Sequence, residues 1–251
     1  MHRPHNPGVG YPGRPMQPRQ QAGIRQTLEQ SRYFRDLAAR DLDRLAELAR
    51  MKRLRNQERI ENVGGYDAHL WVIVSGAVRI STKASDSSEH VYAVLGPGNY
   101  FGLAAVIGKG LGTLDGHAFG ATDVAFIEGP ALVKLLEDRP RLWRHFAELL
   151  SRRLAIALML LRDNTASTLS ERLVRRLLVL QPAIGESSDA EPVLPMTQGD
   201  LARMLGTSRS RANAELRRLE SEGLIHAGYR SITLLDLPRL REIAGKDLKD
   251  F

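Results

Sequence analysis

Residues 197–225 read TQGDLARMLGTSRSRANAELRRLESEGLI, and the rest of the chain is best understood outward from this stretch. Its apolar positions recur with helical spacing in two runs. In the first, Leu201, Ala202 and Leu205 share one face. Thr197 stands ahead of that run with Asp200 three residues on, the spacing of a capping-box-like pair. Gly206 follows, where a left-handed residue costs least. Thr207 or Ser208 opens the second run, whose apolar positions are Ala212, Leu216 and Leu219. Two short amphipathic helices, a sharp glycine turn and small side chains where the helices cross make a helix-turn-helix. A solvated helical hairpin would show the same period, but it gives no reason for the turn glycine, the cap and the arginines to occur together.

The outer side of the second helix presents Ser208, Arg209, Ser210, Arg211, Asn213 and Arg217. Such side chains donate hydrogen bonds to phosphates and to base edges in the major groove, so duplex DNA is the expected partner. Arg209 is the best candidate for bidentate contact to guanine. Arg211 and Asn213 can read bases or phosphates, and Arg217 and Arg218 suit phosphates, although an exposed helix arginine is as often merely solvated. Thr197 and Gln198, at the start of the first helix, complete the expected DNA-facing set. Residues 224–226 and 231–234 are β-prone runs around Gly228-Tyr229-Arg230, a hairpin turn that would add a wing. Arg230 at its tip would touch phosphate or point into solvent.

The chain has 251 residues, enough for one large or two modest domains, and its hydrophobic fraction of 43% suits packed cores. A net charge of +7 favours a polyanionic partner, although part of the excess lies in the N-terminal tail. There is no cysteine, which excludes disulfides, thiolate zinc sites and a cysteine-ligated iron–sulfur cluster. No apolar run is long enough to span a membrane, and the N-terminus lacks the apolar core of a signal peptide. A cytoplasmic protein is expected.

Residues 1–22 hold five of the twelve prolines and no acidic residue, and are expected to form a disordered basic tail. From Ile24 to Ala49 the pattern is helical. Residues 52–127 are punctuated by glycines, with short β-type runs at 70–74, 77–81, 90–95 and 124–127, which points to an antiparallel β-barrel or roll. Gly76 and Pro97-Gly98 sit where hairpin turns are needed. A short helix follows Pro130. A long one runs from about Arg141 to Arg162, with Trp143, Ala147, Leu150, Leu154, Ala157 and Leu161 spaced three and four apart, and Leu149, Leu158 and Leu160 widening the seam. Such a helix should pack on its own domain and on a second copy of itself. The expected dimer contacts are Trp143, Leu150, Leu154, Ala157, Leu158 and Leu161, against the plainer reading of a buried core helix. Thr168 with Glu171 caps a further helix, and residues 182–192 form a polar loop into the DNA-binding half.

LWVIVSGAVRI (70–80), LGPGNYFG (95–102), ERLVRRLLVL (171–180) and the 198–225 block, in this order, resemble the CRP/FNR family of bacterial transcription regulators. The likeness spans about residues 24–245. It implies an α+β chain: an antiparallel, jelly-roll-like β-roll of the cyclic-nucleotide-binding fold, a long dimerisation helix and a C-terminal winged helix-turn-helix. The corresponding domains are 1–22 (tail), 23–139 (effector domain), 140–166 (dimerisation helix), 167–245 (DNA-binding domain) and 246–251 (tail). The resemblance also implies a homodimer on a near-palindromic operator. RNA polymerase would be a further partner.

The family's cyclic-AMP-binding members offer a Gly-Glu pair and, about ten residues later, an Arg-Ser pair around the cyclic phosphate. The matching positions here place the effector contacts at Gly102, Leu103, Ala104, Lys109 and Thr113. Leu103 replaces the glutamate, no arginine occurs between Lys83 and Glu137, and Lys109 is the only cation of the cassette. A lysine supplies a point charge rather than a bidentate fork. Losing one buried charge-assisted contact costs about 2–5 kcal/mol, so cyclic AMP binding in the family's usual manner is not expected. Another small ligand (cyclic di-GMP included), a partner protein, or no effector at all stay open. The GKGLG run at 108–112 lacks the order of a nucleotide-hydrolase loop and reads as an inter-strand loop. His69, His90 and His117 lack short-spaced partners, so neither metal nor haem is expected. The recognition helix departs too, with Ser210 and Ala214 where many relatives carry glutamate and arginine. The expected function is a sequence-specific, homodimeric transcription regulator and not an enzyme. The alternative is a signalling adaptor of cyclic-nucleotide-binding fold without sequence-specific DNA binding.

Overall fold

The structure is a computed structural model that describes residues 18–60, 68–83, 89–108, 114–181 and 191–245. Two helices, α1 (Pro18–Gln30) and α2 (Ala39–Leu48), lead into eight strands. These are β1 (Arg50–Leu54), β2 (Arg59–Ile60), β3 (His69–Ser75), β4 (Val78–Lys83), β5 (Glu89–Leu95), β6 (Tyr100–Phe101), β7 (Asp115–Ala118) and β8 (Thr122–Glu128), with α3 (Leu103–Ile107) between β6 and β7. The strands form two four-stranded antiparallel sheets, ordered β1-β8-β3-β6 and β2-β7-β4-β5. Their facing sides make the expected roll.

Strand alternation divides the apolar residues between two cores. In β3, Trp71 and Ile73 point between the sheets while Leu70 and Val72 point to the helices. β8 matches this register: Trp71 lies opposite Phe126 and Ile73 opposite Val124 inside, with Leu70 opposite Ile127 and Val72 opposite Ala125 outside. Between β3 and β4 Gly76 takes φ +75°, and a Cβ there would collide with the Ala121 carbonyl and Thr122. Only glycine fits.

After β8 come α4 (Gly129–Asp138) and the long α5 (Pro140–Ala166), which ends at Ser167. The C-terminal head contains α6 (Leu169–Val179), β9 (Val193–Leu194), α7 (Gln198–Leu205), α8 (Arg209–Ser221), β10 (Ile225–Gly228), β11 (Ser231–Leu234) and α9 (Leu237–Ala244). Its sheet runs β10-β11-β9. Buried Arg175 of α6 donates to the Ala244 carbonyl (2.6 Å) and to Ser167 Oγ (2.7 Å), tying α6 to the end of α9.

Several expectations change. Residues 18–22, placed in a disordered tail by composition, begin α1, because Ile24 and Leu28 of the same helix are buried at 1% and 2% exposure. The rest of the expected tail lies outside the described residues, as do the 246–251 tail and most of the 182–192 loop. The single helical pattern from Ile24 to Ala49 is two helices broken at residues 31–38, where Ser31 Oγ donates to the Gly98 carbonyl at the β5–β6 turn (2.8 Å). β1, β2, β6 and β7 are strands that the sequence pattern does not mark. β1 is the outer strand beside β8, and its basic residues meet acids across the sheet: Arg53 with Asp123 (2.8 Å) and Arg50 with Glu128 (3.1 Å).

Candidate nucleic-acid interface and sensory roll

α7 begins where its cap allows. Thr197 Oγ1 accepts from the Asp200 backbone N–H (3.0 Å), and Asp200 Oδ2 accepts from the Thr197 N–H (3.1 Å), the reciprocal pair read from the spacing. Gly206 closes the helix in the left-handed region at φ +59°. Ser208 then caps α8, accepting from the Arg211 N–H (3.3 Å). Leu201, Ala202 and Leu205 of α7 and Ala212, Leu216 and Leu219 of α8 are all buried, with Ala212 at 0%. The helix crossing is closely packed, and α8 is thereby held with its other side outward.

Arg209, Ser210, Arg211 and Arg217 lie exposed on that side. Among the described residues, the guanidinium groups of Arg209, Arg211 and Arg217 have no hydrogen-bond or ion-pair partner. These are unspent cations on an unspent helix face. Gln198 is half-buried at the start of α7.

Three expected contacts lie differently. Arg218 is already engaged, with Glu215 (3.2 Å), with Glu222 and with Ser170 Oγ of α6, because carboxylates three and four residues away sit within its reach. Asn213 is half-buried and its Oδ1 lies buried without a partner among the described residues; one step after Ala212, it borders the packed stripe instead of crowning the exposed one. Arg230 neither projects nor floats in solvent. Its φ is +54° and its guanidinium lies 4.0 Å from the centroid of the Phe119 ring on the roll. The wing tip is instead marked by Tyr229, 93% exposed.

In the roll, Gly102 is left-handed (φ +87°) and precedes α3, whose Leu103 is buried at 1% exposure in the core beneath the helices. Ala104 is exposed. Lys109 and Thr113 lie outside the described residues. The space between the sheets is filled by Trp71 stacked on Phe101 (5.9 Å, 7°) and packed against Phe126 (5.1 Å), with His69 stacked on Trp71 (5.5 Å). His90 packs edge-on to Tyr92. No group of three or more His, Asp or Glu side chains able to hold a metal comes together among the described residues. No described helix is long and apolar enough to cross a membrane.

The cassette is wired to the long helix. Tyr100, just ahead of Phe101-Gly102, donates its hydroxyl to the Leu149 carbonyl of α5 (3.3 Å). Its own carbonyl accepts from Arg153, which also lies over its ring at 4.0 Å. Burial raises the Tyr100 pKa, with Arg153 opposing, so the phenol stays a neutral donor. Along α5, Trp143 and Leu150 lean half-buried on the roll's helical core. Leu154, Leu158 and Leu161 are 61%, 57% and 67% exposed, and Ala157 is exposed beside them. Nothing in the sequence singles out Arg79, Phe119 and Arg153. Their partners lie dozens of residues away, and no local period marks them.

A roll of this topology joined by a long helix to a winged helix-turn-helix defines a two-domain transcription regulator. Residues 51–139 match the model of the cyclic nucleotide-binding domain, and residues 171–243 that of the Crp-like helix-turn-helix domain. The chain is 27% identical over 173 residues to the CRP-like cAMP-activated global transcriptional regulator of Mycobacterium tuberculosis, covering 68% of this chain and 77% of that one. Among solved structures it is similar in fold to FixK2 from Bradyrhizobium japonicum, with TM-score 0.66, 23% identity and 79% and 98% of the two chains covered. It is also similar in fold to the c-di-GMP responsive regulator CLP of Xanthomonas campestris, with TM-score 0.59, 23% identity and coverage of 79% and 100%. The chain belongs to the CRP/FNR family of transcription regulators.

Proposed function

We propose that the protein is a cytoplasmic homodimer whose paired α8 helices read a near-palindromic operator. The observation that carries this is the set of arginines without a partner among the described residues, Arg209, Arg211 and Arg217, on the exposed side of a helix whose opposite side packs Ala212, Leu216 and Leu219 into the head. Arg209, at the helix start, reads guanine in the major groove, and Arg211 and Arg217 hold phosphates. Ser210 and Ala214 replace the glutamate and arginine of many relatives, so the half-site differs from theirs. The test is gel retardation on a duplex that the protein itself selects from a random-sequence pool. Binding should weaken steeply with salt, as counterion release requires. Arg209→Ala should cost about 1–3 kcal/mol on that duplex without changing the oligomeric state. Equal affinities for the variant and the parent would remove Arg209 from base reading.

We further propose that the roll senses something other than cyclic AMP held in the usual family manner. The Mycobacterium relative is named for activation by cAMP and the Xanthomonas one for c-di-GMP, so ligand identity varies among relatives. Here Leu103 is committed to the core, and none of residues 102–108 or 114 carries a charge to meet a phosphate. Thermal-shift titration with cyclic AMP should leave the melting temperature unchanged, whereas a ligand at a hundred times its Kd would add about 2.7 kcal/mol to stability. A saturable upward shift at micromolar cyclic AMP would overturn this reading. Whatever the signal, Tyr100 and Arg153 are placed to carry it from the cassette to α5.

A further inference from the structure

The head is seated on its own roll, and the seat uses the parts of a winged helix-turn-helix that lie against DNA backbone. Val91 and Val94 of β5, together with Ala77, share one buried apolar cluster with Leu194, Met196, Leu201 and Leu205 of the head. Arg79 of β4 pairs with Asp200 of α7 at 3.4 Å, where the Asp200 side chain is 2% and the Arg79 side chain 16% exposed. The roll thus covers the first turn of α7, the end of the first helix that crosses the phosphate backbone in this motif. At the other end of the contact, Phe119 in the β7–β8 turn takes the guanidinium of Arg230. Arg230 reaches it from a left-handed position in the two-residue turn between β10 and β11.

We propose that the outer face of β4 and β5, with the β7–β8 turn, is an intramolecular docking site for the winged head that competes with duplex DNA. DNA phosphates and the Phe119 ring are alternative partners for one guanidinium, and the α7 N-terminus can face the roll or the duplex backbone, not both. α8 stays exposed in the docked state, so the docked head can meet DNA but cannot complete its contacts. A signal that loosens the seat then raises affinity without touching α8, in proportion to its preference for the undocked form. This rests on the DNA-binding reading above.

The chain has no cysteine, which permits a clean lock. A Cβ built at Gly96 of the roll lies 3.9 Å from Pro195 Cγ of the head, so side chains at these two positions meet across the seat. The double variant Gly96→Cys/Pro195→Cys should oxidise to an intramolecular disulfide. Its affinity for the selected duplex should then fall about tenfold or more, and reductant should restore it. Independently, Phe119→Ala should tighten binding several-fold, on the order of the docked-to-free ratio, and that gain should vanish in a Phe119→Ala/Arg230→Ala background. Equal affinity of oxidised and reduced forms, or no gain from Phe119→Ala, would overturn the docking proposal while leaving DNA binding intact. If the wild-type and reduced proteins select no duplex at all, the DNA-binding reading falls first and this inference with it.

Discussion

Replacing Leu154 and Leu158 together by aspartate is expected to convert the protein from a dimer to a monomer and to weaken operator binding by about two to four orders of magnitude. Leu154, Leu158 and Leu161 recur at i, i+4 and i+7 on α5, so they form one strip, and each leaves more than half of its side chain in water. Fully burying a leucine is worth about 1.5–3 kcal/mol, and a symmetric pairing buries the strip twice. Aspartates in the same places would face each other across the two-fold axis, adding like-charge repulsion to the lost burial. The DNA effect is larger than the contact loss alone, because two linked heads engage the second half-site at high effective concentration. Light scattering reads the oligomeric state, and a salt-matched DNA titration reads the avidity. A parent protein that is already monomeric at micromolar concentration, or a double variant that stays dimeric, would count against the seam. The strip lies away from the roll's core, so the thermal transition should survive the substitutions.

The second large effect concerns the helix crossing. Leu216→Ala removes a side chain of 1% exposure from the cluster formed by α6, α7, α8 and the wing strands. Truncations of this kind cost about 2–5 kcal/mol, depending on how far the cavity collapses. Ala212 and Ala202 are already minimal, so the neighbouring residues have little side chain with which to fill the gap. DNA binding should be lost before the roll unfolds, because Leu216 lies in the cluster that aims α8, whereas the roll's own two cores are separate clusters. Urea denaturation followed by far-ultraviolet circular dichroism should show the midpoint falling, with the loss concentrated in helical signal. A variant of parental stability that still retards DNA would mean that the crossing carries little of the head's order.

Much of this was legible because it is local. The capping boxes at Thr168/Glu171 and Thr197/Asp200 form as spaced, and Gly76, Gly98 and Gly206 adopt positive φ at the turns they punctuate. The Thr168 N–H and hydroxyl hold the Glu171 carboxyl below its ordinary range, as a cap carboxylate should be. β3, β4, β5 and β8 announce themselves by β-branched and aromatic residues. β1 does not: RMKRL carries no alternation a reader can use, and its strand form depends on β8 beside it and on acids brought up from residues 123 and 128. β6 and β2 are two residues each, too short to show a period.

The candidate site divides along the same line. Arg209, Arg211 and Arg217 could be placed on an outer face from periodicity, since helical spacing alone fixes which residues share a side. Arg218 differs from them by carboxylates at helical spacing, Glu215 and Glu222, to which the fold adds Ser170, whereas Arg230 is held by Phe119, which only the fold brings near.

By itself the amino-acid order determined the head's motif, the roll, the amphipathic rod and the family, because caps, turns and hydrophobic periods act within a few residues. The folded molecule alone decided that Leu103 sits in the core, that Tyr100 reaches α5, and that the wing rests on the roll. Those outcomes join residues dozens to more than a hundred positions apart, and a guanidinium has no way to mark in sequence whether its partner will be a distant carboxylate, an aromatic face or a phosphate.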